Sequence, residues 1–166
     1  NVDGLHLRAG SPAAQTYEIH GNLSRMRCSR GCPGSRSIAS VEALARASTT
    51  DAELSAALSC LECGALCRPH VLWFDEYYDE ASFRYDSSLR AAERAALLVV
   101  IGTTGSTNLP RQIAERTANR ATPTIVVDDA ANSFTDALSA TAHGVFLQGP
   151  ASQRVPELVA RLEGMR

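Results

Sequence analysis

Four cysteines in two close pairs are the residues of this chain whose types and spacing most clearly predict chemistry. Three residues separate Cys28 from Cys32, and two separate Cys60 from Cys63. Each pair can place two thiolates on one turn of backbone, and two such turns can surround a tetrahedral Zn2+ without leaving a position open for substrate. We therefore expect one structural zinc ion on these four cysteines, and a catalytic group elsewhere, with His20 as the nearest candidate.

Disulfide bonds are the alternative use of these thiols. The chain has five cysteines, and the odd number and close pairing favour metal binding in a reducing compartment.

Charge and hydropathy argue against several classes of partner. The net charge of −2 and the pI near 6.1 argue against an obligatory nucleic acid or anionic membrane. No apolar run reaches the roughly 18 residues of a membrane-spanning helix, and no secretory signal pattern is present. We expect a soluble protein of the cytoplasm that requires neither nucleic acid nor a membrane.

The elements that must position these groups alternate between strands and helices in the second half of the chain. Apolar runs predict buried strands at 97–101, 124–127 and 145–147. Helices are predicted at 86–96, from about Pro110, and at 155–162. This alternation predicts an α/β fold with a doubly wound parallel sheet.

In the first half, residues 16–19 are rich in β-formers and predict a short strand, which would place His20 at its end. Residues 40–58, between the cysteine pairs, have helical character and indicate a helical insertion in a zinc module.

Small and hydroxyl-bearing residues follow the first buried strand of the second half. Ligands of parallel sheets bind at the carboxyl ends of strands, where Gly102, Thr103 and Thr104 stand. Small residues let a ligand approach the backbone, and the following helix offers free N–H groups to an anion. An ordinary turn is the alternative interpretation of this loop in isolation.

Six segments follow one another in a recognisable order. They are Asn-Val-Asp-Gly-Leu-His at 1–6 with Arg-Ala-Gly at 8–10, Glu-Ile-His-Gly-Asn at 18–22, the two cysteine pairs, Arg-Pro-His-Val-Leu-Trp-Phe-Asp-Glu at 68–76, Gly-Thr-Thr at 102–104, and Gly-Pro-Ala at 149–151 with Val-Pro-Glu-Leu at 155–158. From residue 1 to about 160 the chain resembles the C-terminal two thirds of a sirtuin, the family of NAD-dependent protein deacylases.

The resemblance implies removal of acyl groups, such as acetyl, from lysine side chains of a protein or peptide, giving nicotinamide and O-acyl-ADP-ribose. His20 would be the general base that draws a proton from the NAD ribose hydroxyls, a role that suits a side chain titrating near neutrality. The alternative is that His20 is a core histidine whose hydrogen bonds are made within the protein and that has no catalytic role.

The resemblance also implies the residues that bind NAD. Asn1 and Asp3 would line the nicotinamide pocket. Asp128 stands where the family has an asparagine that meets the adenosine ribose, and a carboxylate can accept from both ribose hydroxyls. The full cofactor set is Asn1, Asp3, Gly102, Thr103, Thr104, Asp128 and Ala151.

The substrate would bind to the strand that contains Val71, Leu72 and Phe74. An edge strand has unpaired N–H and C=O groups that an extended peptide can pair with, whereas an ordinary core strand is the alternative. Asp75 replaces the glycine usual in the family and adds a charge near the peptide groove. Cys67 stands where the family has an aliphatic residue, so we expect a small buried apolar residue in preference to a fifth or substitute ligand.

By the same resemblance the fold is a partial Rossmann-like doubly wound parallel sheet with a small zinc-binding module inserted. The expected domains are a Rossmann-like NAD-binding domain at 1–27 and 68–166, incomplete at its N-terminus, and the zinc module at 28–67. The family's glycine-rich pyrophosphate turn precedes the segment that begins at Asn1. We therefore predict that these 166 residues alone bind NAD poorly or fold incompletely.

Two other functions stay open at this point. ADP-ribosyl transfer or NAD hydrolysis would use the same scaffold with a side chain or water as nucleophile. A non-catalytic, zinc-stabilised module that binds peptides or NAD is the third interpretation.

Overall fold

The computed structural model describes residues 1–33, 35–138 and 143–164. The chain forms two compact units, Asn1–Tyr85 and Asp86–Arg166. The domain boundaries expected from the sequence fall elsewhere and stay a prediction. Among the described residues, none of the helices has the length and apolar character needed to cross a bilayer.

The first unit is built on a small antiparallel sheet with short helices. Its elements are α1 (Leu5–Arg8), a 3-10 turn (Ala13–Gln15), β1 (Gly21–Cys28), β2 (Ser35–Ser37), α2 (Ile38–Ala47), α3 (Asp51–Ala57), β3 (Cys67–Val71) and α4 (Glu80–Phe83). The strand order is β2-β1-β3, with both pairings antiparallel.

The register between β1 and β3 places the two functional regions of this unit at opposite ends of the strand pair. Gly21 pairs with Val71 at one end, and Cys28 pairs with Cys67 at the other. Among the described residues β3 pairs with β1 alone, so the expectation of an edge strand is confirmed. The strand ends at Val71, however, and not at Phe74 as predicted.

Residues 16–19 do not form the predicted strand. The guanidinium of Arg84 donates to the carbonyls of Ala13, Ala14 and Thr16 and stacks over the Tyr17 ring at 4.3 Å. Of these carbonyls, that of Thr16 belongs to the predicted strand, and it is satisfied by a side chain and not by a neighbouring strand. His20 consequently lies in a turn directly before β1, not at the end of a preceding strand.

Between the cysteine pairs the predicted helical stretch is two helices. Thr50 begins α3 with a capping box: its side chain accepts from the Glu53 backbone N–H, and Glu53 accepts from the Thr50 N–H. The cap therefore begins a second, separate helix after α2.

The second unit is an α/β sheet, and the parallel arrangement predicted from the sequence is confirmed. Its strands β4 (Leu98–Ile101), β5 (Thr124–Asp128) and β6 (Gly144–Gln148) pair in parallel in the order β4-β5-β6. The helices are α5 (Tyr85–Glu93), α6 (Asn108–Ala118), α7 (Ser133–Leu138) and α8 (Ala151–Glu163). Val100, Val126 and Phe134 form the centre of its buried cluster.

Candidate functional site

The four paired cysteines meet at one point of the first unit. The sulfur atoms of Cys28, Cys32, Cys60 and Cys63 all lie within 4.8 Å of one another, and the Cys28 and Cys63 sulfurs are 3.5 Å apart. Tetrahedral coordination with Zn–S bonds of about 2.3 Å requires sulfur separations of about 3.8 Å. All are free thiols, so the cluster fits a metal ion and not the disulfide alternative.

Two turns of similar shape bring the cysteines together. Gly31 directly precedes Cys32 and Gly64 directly follows Cys63, and they take left-handed φ values of 81° and 71°. The second turn is closed by the Cys60 N–H bonding to the Ala65 carbonyl at 2.7 Å, and the Ser29 N–H joins the first turn to Leu66 at 3.1 Å. Short loops rich in glycine therefore position the thiols.

The thiols perturb one another strongly. Hydrogen bonds from the backbone N–H groups of Cys32 and Arg30 lower the pKa of Cys28 to about 6. Contacts with the neighbouring thiols of Cys63 and Cys28 raise the pKa of Cys32 to about 12. Without a cation the cluster favours the thiolate of Cys28 and opposes that of Cys32, so deprotonation of both requires a positive ion nearby.

Cys67 lies on β3 across from Cys28 and is not part of the four-sulfur cluster. It is partly buried, and burial, together with the charge of the nearby Cys60, raises its pKa. It is placed as a small apolar residue would be, in agreement with the sequence prediction.

His20 lies at the other end of the same pair of strands. Its Nε2 is 3.0 Å from the Tyr78 hydroxyl, and its carbonyl accepts from the Leu72 N–H at 3.0 Å. The ring is partly buried, and this burial lowers the pKa of His20 below its usual 6.5. Burial therefore favours the neutral imidazole, which is the form that can accept a proton.

The N-terminal segment runs beside β1. The Val2 carbonyl accepts from the Leu23 N–H at 2.8 Å, and the Asp3 carboxylate accepts from the Leu5 N–H at 2.9 Å. Asp3 and Asn22 line one cleft, whereas Asn1 is exposed. The structure thus brings Asp3 to β1, where it lines a cleft with Asn22, the second residue after His20.

Asn22 is a site residue that the sequence analysis did not single out individually. It is 5% exposed, its amide nitrogen donates to Glu18 at 2.6 Å, and its carbonyl oxygen accepts from the Ser24 N–H at 2.7 Å. These bonds hold the turn that contains His20 against the start of β1.

The loop after β3 is fixed by one carboxylate that sequence reasoning also missed. Glu76 accepts from Arg27 at 2.7 Å and from Arg68, and its second oxygen accepts from the Trp73 N–H at 2.9 Å. Because Trp73 is bonded within its own loop, the chain turns away after Val71 and does not continue the strand. Leu72 is partly buried here, and Phe74 is fully exposed.

In the second unit the loops after all three strands meet at one edge of the sheet. The Gly102 N–H bonds to the Val127 carbonyl and the Gly149 N–H to the Asp128 carbonyl, both at 2.9 Å. The Ser133 hydroxyl donates to the Thr104 carbonyl at 2.8 Å. The predicted residues of this unit, Gly102, Thr103, Thr104, Asp128 and Ala151, therefore lie at the same carboxyl edge.

Asp128 is partly engaged within its own loop. One carboxylate oxygen accepts from the Ala130 N–H at 3.3 Å and the other from the Asn132 amide at 3.1 Å. Each carboxylate oxygen can accept a second bond, so the residue keeps acceptor capacity toward a ligand.

Comparison with known proteins identifies the family of this chain. The family model described as Sir2 family matches residues 1–108. An "NAD-dependent protein deacylase" of Leptospira interrogans serogroup Icterohaemorrhagiae serovar Lai (strain 56601) is 30% identical over 164 residues, which are 98% of this chain and 58% of the relative. An "NAD-dependent protein deacylase" of Mycobacterium tuberculosis (strain ATCC 25177 / H37Ra) is 32% identical over 166 residues, 99% of this chain and 63% of the relative.

Solved structures give the same result. A structure described as a Sir2 homolog–NAD complex superposes with a TM-score of 0.76 at 28% identity, covering 99% of this chain and 57% of the other. The chain thus spans less than two thirds of the length of these relatives. It belongs to the Sir2 family, the sirtuins.

Proposed function

We propose that the protein is an NAD-dependent protein-lysine deacylase with His20 as its general base. The observation that carries the proposal is the partly buried imidazole of His20, held at the start of β1 by Tyr78 and the Leu72 N–H. Curated relatives bear the name of this activity, and a Sir2 homolog has been solved with NAD. These facts support the same activity here.

The residues of the second unit that are proposed to hold NAD leave room for a ligand at the carboxyl edge of its sheet. When bound, NAD supplies the ADP-ribosyl group that receives the acyl group. A Cβ at Gly102 would meet no atom within 4 Å, so this glycine leaves room for a ligand against the backbone. Ala151 begins the 13-residue helix α8, whose first N–H groups favour an anionic or polar ligand. Asn1, Asp3, Thr103, Thr104 and Asp128 complete the set.

His20 accepts a proton at its imidazole in this proposal. A base must be unprotonated in the resting enzyme, and burial favours this state by lowering the pKa of His20. Tyr78, 3.0 Å from Nε2, fixes the ring orientation. A hydroxyl of the bound ligand would compete with Tyr78 or use the other ring nitrogen.

The proposed substrate is a protein or peptide that carries an acylated lysine. A peptide can add to the free edge of β3 at Val71, with Leu72 and Phe74 beside the lysine stem. Solved Sir2 relatives with an acetylated peptide, a propionylated peptide or a p53 peptide support a peptide as the substrate class. A cytoplasmic location stays a prediction.

Substitution of His20 tests the proposal. In the full-length protein, His20→Ala should lower peptide-dependent nicotinamide release by at least about 100-fold, the usual contribution of a general base. His143→Ala is the matched control, because His143 is exposed in a turn and should keep full activity. Retained turnover in a folded His20→Ala variant would remove His20 from this role.

Analysis of the products separates the remaining functions. Mass spectrometry should find O-acyl-ADP-ribose. Free ADP-ribose would indicate NAD hydrolysis, an ADP-ribosylated protein would indicate transfer, and peptide binding without any product would indicate a non-catalytic module.

A further inference from the structure

The loop between β3 and α4 exposes an unusual set of aromatic side chains. Phe74 is fully exposed, Tyr77 is 91% exposed and Trp73 is 53% exposed. Three large aromatic residues within five positions form an apolar surface of the kind that marks an interaction site.

The same loop is acidic. Residues 73–80 contain four carboxylates and no cationic side chain. Glu76 is neutralised from beneath by Arg27 and Arg68, whose side chains are only 17% and 13% exposed. Asp75 and Asp79 are both exposed, so this loop presents negative charge to solvent.

Internal contacts hold this surface in one conformation. Glu76 bonds the Trp73 N–H, and the Arg68 guanidinium stacks on the Trp73 ring at 4.1 Å. Asp79 caps α4 by accepting from the Ser82 N–H at 2.5 Å. A loop ordered before binding loses less conformational entropy when a partner docks.

We propose that this aromatic and acidic loop selects peptides in which arginine or lysine flanks the acylated lysine. The inference rests on the proposed function and names its substrate class more closely. A flanking cation gains an ion pair with Asp75 and a cation–π contact with Phe74 or Tyr77. The negative charge repels acidic peptides, and by the same reasoning it repels nucleic acid and anionic lipid.

Matched peptides test the selection in the full-length protein. Two fluorescent acetyl-lysine peptides would differ only in having arginine or glutamate on both sides of the modified lysine. The arginine peptide should have a Kd lower by about tenfold in fluorescence polarisation, and a similarly higher kcat/KM, with the ratio shrinking at high salt. Equal constants for the two peptides, or preference for glutamate, would overturn the proposal.

Charge variants assign the effect to the loop. Asp75→Asn should reduce the selectivity ratio about threefold, and Asp75→Lys should reverse the preference. Asp51→Asn removes an equal charge from an exposed position on α3 and should keep the ratio. An unchanged ratio in both Asp75 variants would refute the role of this loop. Failure of the deacylase proposal would look different: no peptide would be turned over, while the difference in Kd would persist.

Discussion

One missing side chain allows β1 and β3 to meet beside His20. Gly21 has a φ of 92°, and a Cβ at this position would lie 2.0 Å from the His70 carbonyl oxygen. Neither the backbone conformation nor the approach of the strands permits another residue. The close approach of the strands at Gly21 therefore needs a glycine, and it also sets the position of the adjacent His20.

Gly10 and Gly21 have the same φ and so separate the cost of the positive φ from the cost of the close strand contact. Gly10 also has a φ of 92°, but a Cβ there would meet no atom within 4 Å. Gly10→Ala should cost about 1–2 kcal/mol for the left-handed conformation alone, and Gly21→Ala about 3–5 kcal/mol because overpacking adds to it. Urea unfolding of both variants measures the difference, and equal losses would mean that the contact with His70 relaxes freely.

His70 links stability to pH at the same place. Its Nε2 lies 3.1 Å from the Ser82 carbonyl, its ring stacks on Phe83, and its buried Nδ1 has no hydrogen-bond partner among the described residues. Burial is the largest cause that lowers the pKa of His70, and the charges of neighbouring arginines add to it.

The sign of the effect follows from proton binding. In the unfolded chain His70 takes up a proton near pH 6.5, whereas in the folded state it takes up a proton only at a lower pH. The unfolded state therefore binds more protons in this range, and the free energy of unfolding falls as the pH falls through it. His70→Gln keeps a donor for Ser82 but does not titrate. Urea unfolding between pH 8 and pH 5 should show a shallower loss for the variant, and parallel curves would contradict the prediction.

At the scale of elements, Glu76 joins β1, β3 and the following loop. Its carboxylate holds Arg27 of β1, Arg68 of β3 and the Trp73 N–H. The three side chains are mostly shielded from water, with exposures of 27%, 17% and 13% for Glu76, Arg27 and Arg68. Charge-assisted bonds in such a setting contribute more than exposed ion pairs.

Two Glu→Gln substitutions compare the part-buried ion pairs of Glu76 with an exposed ion pair on α2. Glu76→Gln should cost about 1–3 kcal/mol, because it leaves two part-buried guanidinium groups without their counter-charge. Glu42→Gln breaks an exposed pair with Arg46 on α2 and should change stability by less than about 0.5 kcal/mol. Chemical denaturation measures the free energy of unfolding of both variants. Similar small losses would show that the ion pairs of Glu76 contribute no more to stability than the exposed pair.

The elements also show what the sequence could predict. The strands of the second unit are continuous apolar runs between turn residues, and they appear within one residue of their predicted bounds. The four cysteines were found from spacing, which is local. In contrast, Glu76, Tyr78 and Arg84 act on residues 49, 58 and up to 71 positions away, so no local pattern indicates their partners. Strand β1 was missed because polar residues interrupt its buried positions.

At the scale of the whole molecule, buried apolar side chains are unevenly distributed. Among the described residues the first unit buries Met26, Cys28, Val41, Ala57 and Phe83, and only Phe83 is a large side chain that is almost fully enclosed. The second unit has the denser cluster around Val126 and Phe134. A unit with so small an apolar core needs additional stabilisation, which ion pairs at one end and a metal ion at the other can supply.

Zinc should therefore contribute to the stability of the fold. We expect one zinc ion per chain by elemental analysis, and a lower Tm after chelation, because metal binding and folding are coupled. Cys60→Ser should lose the ion and show the same lowered Tm, whereas Cys67→Ser should keep the ion because its thiol lies outside the four-sulfur cluster. An unchanged Tm after complete removal of metal would exclude a structural zinc. Loss of zinc in Cys67→Ser would instead make this fifth thiol a ligand.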